Sequence, residues 1–262
     1  MSAEIKQVLK IVKIGGKLME EEQQLRNFLA DFSEMQGPKI LVHGGGIMAT
    51  QLSEKLGYST TMLDGRRITD ENAIKVIVMT YAGLLNKNIV AGLQAKGVQA
   101  LGLCGADGGS IISKRRPATP IDYGFVGDVE EVNSNFITSL LKQGIIPVFS
   151  AISCTRDGVL LNTNADSIAS EIASAMAGEY EVQLYFCMEK QGVMLDVNDE
   201  TSIITDLNPE KYKTLVDQGK ITDGMLPKLH NCFHALARDV SAVYIGNASL
   251  IKEESTGTKI TS

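Results

Sequence analysis

Two strand-turn-helix units near the start of the chain constrain its fold more than any other feature. The β-branched segment Val8–Ile14 ends in Gly15-Gly16, and apolar residues then recur at helical spacing. The same pattern follows at once, with Lys39–His43 leading into Gly44-Gly45-Gly46 and a second apolar helical stripe. Repeated units of this kind form parallel sheets covered by helices on both faces. We therefore expect an α/β fold.

The rest of the chain continues to alternate between short apolar runs and helical patterns. The segment 58–69, with a central Asp-Gly pair, predicts a hairpin, and Thr69 or Asp70 is a suitable cap for the long helix that follows. The Pro- and Gly-rich segment 110–132 predicts antiparallel hairpins, and 225–238 predicts a late helix. Further strands are predicted at 98–103, 145–150, 182–187 and 240–245, the last being the final clear strand.

Composition excludes several classes of function. The 262 residues carry a net charge of −6, whereas nucleic-acid binders show a basic excess on one face. The four cysteines form no CxxC pair, so we expect buried, reduced thiols rather than a zinc site. No run approaches the roughly 20 apolar residues of a membrane span, and the first residues lack a secretion signal. We expect a cytoplasmic protein that contacts neither nucleic acid nor membrane.

The two glycine turns are candidates for phosphate binding. Ligands of open α/β sheets bind beyond the carboxyl ends of the strands, where both turns are expected. Backbone N–H groups of glycine approach anions closely, and the following helix N-terminus adds partial positive charge. Lys13, two residues before a turn, points into the same crevice. Tight βα turns without any ligand remain the alternative, and no GxxxxGK(S/T) phosphate loop is present.

A rival interpretation is a nicotinamide-dependent oxidoreductase. Residues 44–49 match the dinucleotide fingerprint GxGxxA after a strand, and Asp64 lies near the distance of a ribose-binding acid. That acid belongs at the end of a second strand, whereas Asp64 falls in the predicted hairpin turn. A single fingerprint also has many false positives.

Five ordered motifs resemble those of the acetylglutamate kinase family, which has the amino-acid kinase fold. The resemblance extends from about residue 8 to residue 246. The motifs are Val12-Lys13-Ile14-Gly15-Gly16, Val42-His43-Gly44-Gly45-Gly46, Asp64-Gly65-Arg66-Arg67-Ile68-Thr69, Asn162-Thr163-Asn164-Ala165-Asp166 and Ile221-Thr222-Asp223-Gly224-Met225-Leu226-Pro227-Lys228.

This resemblance implies an αβα sandwich with a mainly parallel, open central sheet. It implies a lobe over 1–178 that binds the acylated amino acid and dimerises, and a lobe over 179–262 that binds ATP. The implied reaction is phosphorylation of the side-chain carboxylate of an N-acyl-L-glutamate by ATP and Mg²⁺ carried on the nucleotide, a step of arginine biosynthesis.

Residue roles follow from the same resemblance, position by position. Lys13 and Lys228 contact the transferring phosphoryl group from opposite sides, and Asp166 holds both lysines. Gly16 and Gly45 donate backbone N–H groups. The substrate-binding residues implied are Gly45, Gly46, Arg67 and Asn162. The nucleotide-binding residues implied are Lys13, Gly15, Gly16, Glu189, Gly192, Thr222, Asp223, Gly224 and Lys228.

These roles are chemically consistent. A glutamate side chain has a pKa of about 4.3, so the attacking carboxylate is already ionised and needs no general base. The reaction needs in-line positioning and neutralisation of phosphoryl charge. We therefore expect His43 to order its glycine turn through hydrogen bonds rather than transfer protons. Asp166 on its own is equally consistent with a helix cap.

Other features distinguish members of the family. Met188-Glu189-Lys190-Gln191-Gly192 replaces the usual Ser/Thr-Asp-Val-x-Gly-like turn, with Glu189 in place of the aspartate. The chain lacks the additional N-terminal helix of arginine-inhibited hexameric members, so we expect a homodimer that arginine does not regulate. The acyl group, acetyl or succinyl, stays open. A free glutamate or aspartate kinase and a non-catalytic sensor are the remaining alternatives.

Overall fold

The structure is a computed structural model that describes residues 6–63, 65–196, 199, 201–221, 225–252 and 254–262. Within these residues the chain forms fourteen strands and eight α-helices. The strands are β1 Val8–Ile14, β2 Lys39–His43, β3 Met62–Leu63, β4 Arg66–Arg67, β5 Ala100–Leu103, β6 Ile111–Arg115, β7 Gly127–Val132, β8 Ile146–Ser150, β9 Ile152–Cys154, β10 Leu160–Asn162, β11 Glu181–Cys187, β12 Asp206–Leu207, β13 Ala242–Gly246 and β14 Thr258–Ile260. The helices are α1 Glu22–Glu34, α2 Gly46–Lys55, α3 Glu71–Val78, α4 Asn86–Gln94, α5 Ser134–Lys142, α6 Ala165–Met176, α7 Pro209–Asp217 and α8 Leu226–Leu236.

One large sheet runs through the molecule in the order β12-β14-β13-β11-β1-β2-β8-β5. Its neighbouring strands are parallel except β13 and β14, which are antiparallel. The expected α/β fold with a mainly parallel central sheet is confirmed. From β1 the chain adds β2, β8 and β5 on one side and β11 and β13 on the other. Ligands of such sheets bind where this order reverses, so the carboxyl ends of β1 and β11 mark the expected crevice.

Helices cover both faces of the sheet, and the side chains of β1 alternate between two apolar cores. Leu9 and Ile11 pack into one core with Ile168 of α6. Val12 and Ile14 pack into the other with Phe28 of α1. Burying a large apolar side chain contributes about 1.5–3 kcal/mol, so these two cores hold the strand firmly between the helices.

The helical run Glu71–Gln94 is the longest in the described chain. The Asp70 carboxylate caps its start by accepting the N–H groups of Asn72 and Ala73 at 3.0 and 2.7 Å. An 18-residue window has a mean hydropathy of 1.4, so by length and composition the run is able to span a membrane, contrary to the expectation that no such stretch exists. Ile77 and Ile89 of this run are buried in the two cores, as in a core helix.

Seven residues in the middle of that run, Met79–Leu85, form a π-helix between α3 and α4. The backbone N–H of Asn86 donates to the carbonyl of Tyr81, five residues back. Nothing in the sequence pattern predicts this wider turn. Tyr81 and Leu85 of this segment both pack near Gly45, and Asn86 follows directly as the first residue of α4.

Short elements at the sheet edge are the main difference from expectation. The predicted hairpins over 110–132 are confirmed in part by β6 and β7, which pair antiparallel in a second sheet of order β10-β9-β6-β7. The prediction that the final strand lies at 240–245 is wrong, because β14 follows and pairs with β13. Strands of two or three residues carry too little periodicity to be recognised. The large sheet contains strands from both sides of residue 178, the predicted boundary between the lobes. The division into two lobes stays a prediction.

Candidate active site

Three charged side chains meet at the carboxyl end of β1. Lys13 Nζ lies 2.7 Å from Asp166 Oδ1, and Lys228 Nζ donates to Asp166 Oδ2 at 2.6 Å. The three side chains are 16 to 19% exposed, so the cluster is shielded yet reachable from solvent. The structure thus brings together the two lysines and the aspartate that the sequence motifs single out.

Local structure leaves the Asp166 carboxylate available to both lysines. Asn164, rather than Asp166, caps α6 by accepting the N–H groups of Asp166 and Ser167 at 2.8 and 3.1 Å. The alternative in which Asp166 itself caps the helix is therefore wrong. Lys228 lies in the first turn of α8, and its ammonium group sits 5.3 Å from the centre of the Phe186 ring.

Two lysines on one carboxylate determine its protonation. Burial alone would raise the pKa of Asp166, but the charges of Lys13 and Lys228 and their hydrogen bonds hold that pKa well below its usual range. The carboxylate is ionised at neutral pH. Two ammonium groups and one carboxylate leave a net positive charge in the cluster.

The two turns contain glycine for different reasons. A Cβ on Gly15 would lie 3.1 Å from Lys13 Nζ, and Gly16 has a positive φ of 60°. A Cβ on Gly45 would lie 2.4 Å from Leu85 and 2.8 Å from Tyr81. Gly45 therefore has no space for a side chain, whereas at Gly16 it is the left-handed backbone that favours glycine.

Arg67 and Asn162 contact the loops around the second turn. The guanidinium of Arg67, 8% exposed, donates to the Gly46 carbonyl at 2.8 Å and to the hydroxyls of Thr50 and Thr60 at 2.7 and 3.0 Å. Asn162 donates to the hydroxyl of Thr69 at 3.1 Å. Arg67 therefore braces the turn, and its predicted contact with a substrate carboxylate stays a prediction.

Apart from Lys13, Gly16 and Lys228, described above, the predicted nucleotide residues fall into three groups. Gly15 and Glu189 line one open groove beyond β1 and β11, together with Asn247. Gly192 is buried, and a Cβ on it would lie 2.8 Å from the Thr258 hydroxyl, so the close approach of β14 requires glycine there. Three further predicted residues lie outside the described residues: Thr222, Asp223 and Gly224.

A buried polar network under the second turn was only partly anticipated. His43 Nδ1 lies 2.9 Å from the Gly44 carbonyl, as expected for a loop-ordering histidine, and its Nε2 lies 3.0 Å from Asn86 Nδ2. Asn86 was not predicted, because a lone polar residue in a helical pattern gives no signal of its partner 43 positions away. The other two histidines, His230 and His234, are exposed on α8.

Burial of His43 makes folding stability depend on pH. Burial lowers the pKa of this imidazole from 6.5 to about 4, against the Gly44 hydrogen bond, which raises it, and with the charge of Lys87, which lowers it further. The unfolded chain therefore binds a proton between pH 6.5 and 4 that the folded chain does not. Stability from this group is complete above pH 6.5 and is lost as pH falls towards 4.

Between pH 6.5 and 4 we expect His43 to lower the free energy of unfolding by about 3 kcal/mol, at about 1.4 kcal/mol per pH unit. Urea unfolding at pH 7, 6, 5 and 4 measures how the free energy of unfolding changes with pH. The part of this pH slope that is lost in His43→Gln is the contribution of His43. The exposed-histidine variant His234→Gln serves as control and should keep the full slope. Equal slopes in all three proteins would contradict a neutral, buried His43.

The fold and these contacts together define a class of protein. It is an α/β protein with a crevice at the reversal of its strand order, in which two glycine turns accompany a pair of lysines held on one aspartate. Such a site suits the binding and neutralisation of phosphoryl groups without a GxxxxGK(S/T) loop.

Comparison with known proteins identifies the family. Residues 9–247 match the amino acid kinase family, and the chain belongs to that family. It is 53% identical over 256 residues to a protein of Phocaeicola vulgatus named acetylglutamate kinase, covering 98% of this chain and 99% of that protein. A Parabacteroides distasonis protein of the same name is 50% identical, with 96% and 98% covered. The solved structure of smu.665 from Streptococcus mutans superposes with a TM-score of 0.77 at 26% identity, covering 97% and 98%.

These findings confirm the resemblance drawn from the five motifs. They also decide against the oxidoreductase alternative, which rested on the glycine spacing of residues 44–49. In the structure Gly44 and Gly45 connect β2 to α2, which begins at Gly46.

Proposed function

We propose that this protein transfers the γ-phosphoryl group of ATP to the side-chain carboxylate of N-acetyl-L-glutamate, giving the acyl phosphate and ADP. The observation that carries the proposal is the ion-pair cluster in which Asp166 binds Lys13 and Lys228 at 2.7 and 2.6 Å. The name shared by relatives 50 and 53% identical over nearly the whole chain supports the substrate. Relatives of that name place the reaction in arginine biosynthesis.

The transfer needs no proton. A substrate carboxylate oxygen attacks the γ-phosphorus, the bond from that phosphorus to the bridging oxygen breaks, and the electron pair leaves with ADP. Because the attacking group is already an anion, the chain has to bring two negative groups together. Lys13 and Lys228 lower that repulsion, and their shared partner Asp166 fixes both ammonium groups before substrate arrives.

Backbone groups complete the positioning. Gly16 and Gly45 line one pocket, and in this mechanism their backbone N–H groups donate to phosphate and carboxylate oxygens. Both Asp166 oxygens already lie within 2.7 Å of a lysine, so we expect Mg²⁺ to be bound by the nucleotide phosphates, whose charge it neutralises. Glu189 and Gly15 line the groove proposed for the nucleotide.

An ADP-release assay with Mg-ATP tests the substrate. We expect activity with N-acetyl-L-glutamate and at least 10²-fold lower kcat/KM with free glutamate and with aspartate, because a site built for an acyl amide leaves polar groups unpaired when the amide is absent. N-succinyl-L-glutamate is included to define the acyl group. Equal activity on free glutamate would overturn the substrate assignment, and activity on none of the four would overturn the enzyme.

We propose further that the chain forms a homodimer through the helical run Glu71–Gln94. Met79 and Leu84 of its π-helix are 52 and 54% exposed, and Leu101 on the edge strand β5 is 39% exposed. Exposed apolar side chains beside an unpaired strand edge are typical of a protein interface.

Sedimentation velocity tests the dimer. We expect the combined substitution Met79→Glu and Leu84→Glu to weaken association roughly 100-fold or more, because it places like charges at the interface. Leu56→Glu, at a residue 49% exposed on the chain after α2, is the matched control and should leave the dimer intact. A wild-type protein that is monomeric at micromolar concentration would refute the proposal.

A further inference from the structure

A chain of buried polar groups links the π-helical region to the second glycine turn. Asn86 and His43 are both fully buried. Asn86 Nδ2 lies 3.0 Å from His43 Nε2 and 2.9 Å from the carbonyl oxygen of Val148, while His43 Nδ1 lies 2.9 Å from the carbonyl oxygen of Gly44. Buried polar groups so fully paired specify one arrangement of the segments they join.

The contacts fix the direction of every hydrogen bond. The Asn86 amide cannot be reversed, because Nδ2 faces the Val148 carbonyl and Oδ1 accepts from Lys87 Nζ at 3.0 Å. Nδ2 therefore donates to His43 Nε2, which must carry no hydrogen. The hydrogen of the neutral ring then lies on Nδ1 and is donated to the Gly44 carbonyl. Asn86 thus selects the only tautomer that can hold that carbonyl.

The Gly44 carbonyl controls the next N–H group in the chain. The oxygen of Gly44 and the N–H of Gly45 belong to one planar, trans peptide unit and point in opposite directions. Drawing the oxygen towards His43 turns the N–H of Gly45 away from His43. Tyr81 and Leu85 pack closely against Gly45, since a Cβ on Gly45 would lie 2.8 and 2.4 Å from them.

We propose that Asn86 is a positioning residue for phosphoryl transfer, acting through His43 and the Gly44 carbonyl to orient the N–H of Gly45. The π-helical turn explains how one helix supplies both the Asn86 amide and the Tyr81 ring. Because Asn86 follows Tyr81 by one π-turn, the amide that sets the tautomer and the ring that supports Gly45 face the same loop. The inference rests on the proposed function, since it assigns Gly45 a role in that reaction.

A double-mutant cycle on kcat tests whether Asn86 acts through His43. We expect Asn86→Ala and His43→Leu each to lower kcat roughly 10-fold, with KM for both substrates changed less than about threefold, because misorienting one donor affects the transition state more than substrate binding. The double variant should be no slower than either single variant. Ile89→Val, at a buried site one turn along α4, is the control for lost packing and should lower the melting temperature without lowering kcat. Additive losses in the double variant would overturn the proposal.

Nitrogen NMR of the three histidines tests the tautomer without any turnover. In the wild-type protein we expect His43 to show hydrogen on Nδ1 and none on Nε2, and in Asn86→Ala we expect that preference to be lost. Hydrogen on Nε2 in the wild type, or an unchanged tautomer in Asn86→Ala, would refute the proposal even if His43→Leu does not fold. A wild-type protein inactive on every acyl glutamate would refute the proposed function and leave this measurement standing.

Discussion

Lys13→Ala and Lys228→Ala will each lower kcat roughly 10² to 10³-fold. Each substitution removes one ammonium group from a cluster in which both lysines lie within 2.7 Å of Asp166, and loss of one preorganised charged donor costs about that much in rate. Substrate binding should suffer less than turnover, because phosphoryl charge shifts only as the bond breaks. Steady-state kinetics with N-acetyl-L-glutamate and Mg-ATP measure both effects.

Lys10→Ala is the matched control, since Lys10 lies on the same strand and belongs to none of the site's contacts described above. Its kcat should be close to that of the wild type. The two site lysines also test each other. If Lys228→Ala keeps full turnover while Lys13→Ala abolishes it, phosphoryl charge is neutralised from one side only and the two-sided arrangement is wrong.

Asp166→Asn will lower kcat about 10²-fold with little increase in KM for ATP. The substitution keeps the shape of the side chain but removes the charge that holds two ammonium groups together, so the lysines repel each other and lose their fixed positions. The site simultaneously becomes more positive, which favours binding of a polyphosphate. A fall in kcat with an unchanged or lower KM is therefore the expected signature.

Glu171→Gln on the same helix is the control for loss of a carboxylate. Glu171 pairs with Arg238 at 2.6 Å, away from the lysine cluster, and the variant should retain wild-type kcat. If Asp166→Asn instead raises KM for ATP strongly and leaves kcat unchanged, Asp166 contributes to nucleotide binding rather than to the positioning of the lysines.

The sequence predicts the centre of this fold better than its edges. β1, β2, β8 and β11 are largely apolar and separated by glycine turns or helical patterns, so the parallel sheet is expected from local pattern. Near one edge, β12 and β14 have only two and three residues; β12 pairs with β14, and β14 pairs with β13. Short strands of this kind are stabilised by neighbours that a local window does not contain.

The residues of the site also differ in how well the sequence predicts them. Lys13 is predicted from its place before a glycine turn, because the geometry of βα units is local. Lys228 looks like a solvated helix residue until its ordered motif is compared with a family. Neither the local pattern nor the family motifs identify Asn86, because its proposed role depends on a π-helical turn and on a histidine at the end of β2. Long-range hydrogen bonds leave no periodic trace in the residues that make them.

The origin of the three charged residues has a consequence for how the protein is made. Lys13, Asp166 and Lys228 come from widely separated parts of the chain, and the strand that carries Lys13 pairs with β11, with Val8 opposite Glu181. A nascent polypeptide still lacking α8 cannot assemble the cluster, so activity begins only after α8 has left the ribosome. Contacts between residues so far apart in the sequence form slowly. Recovery of turnover after dilution from denaturant should therefore report the last step of refolding.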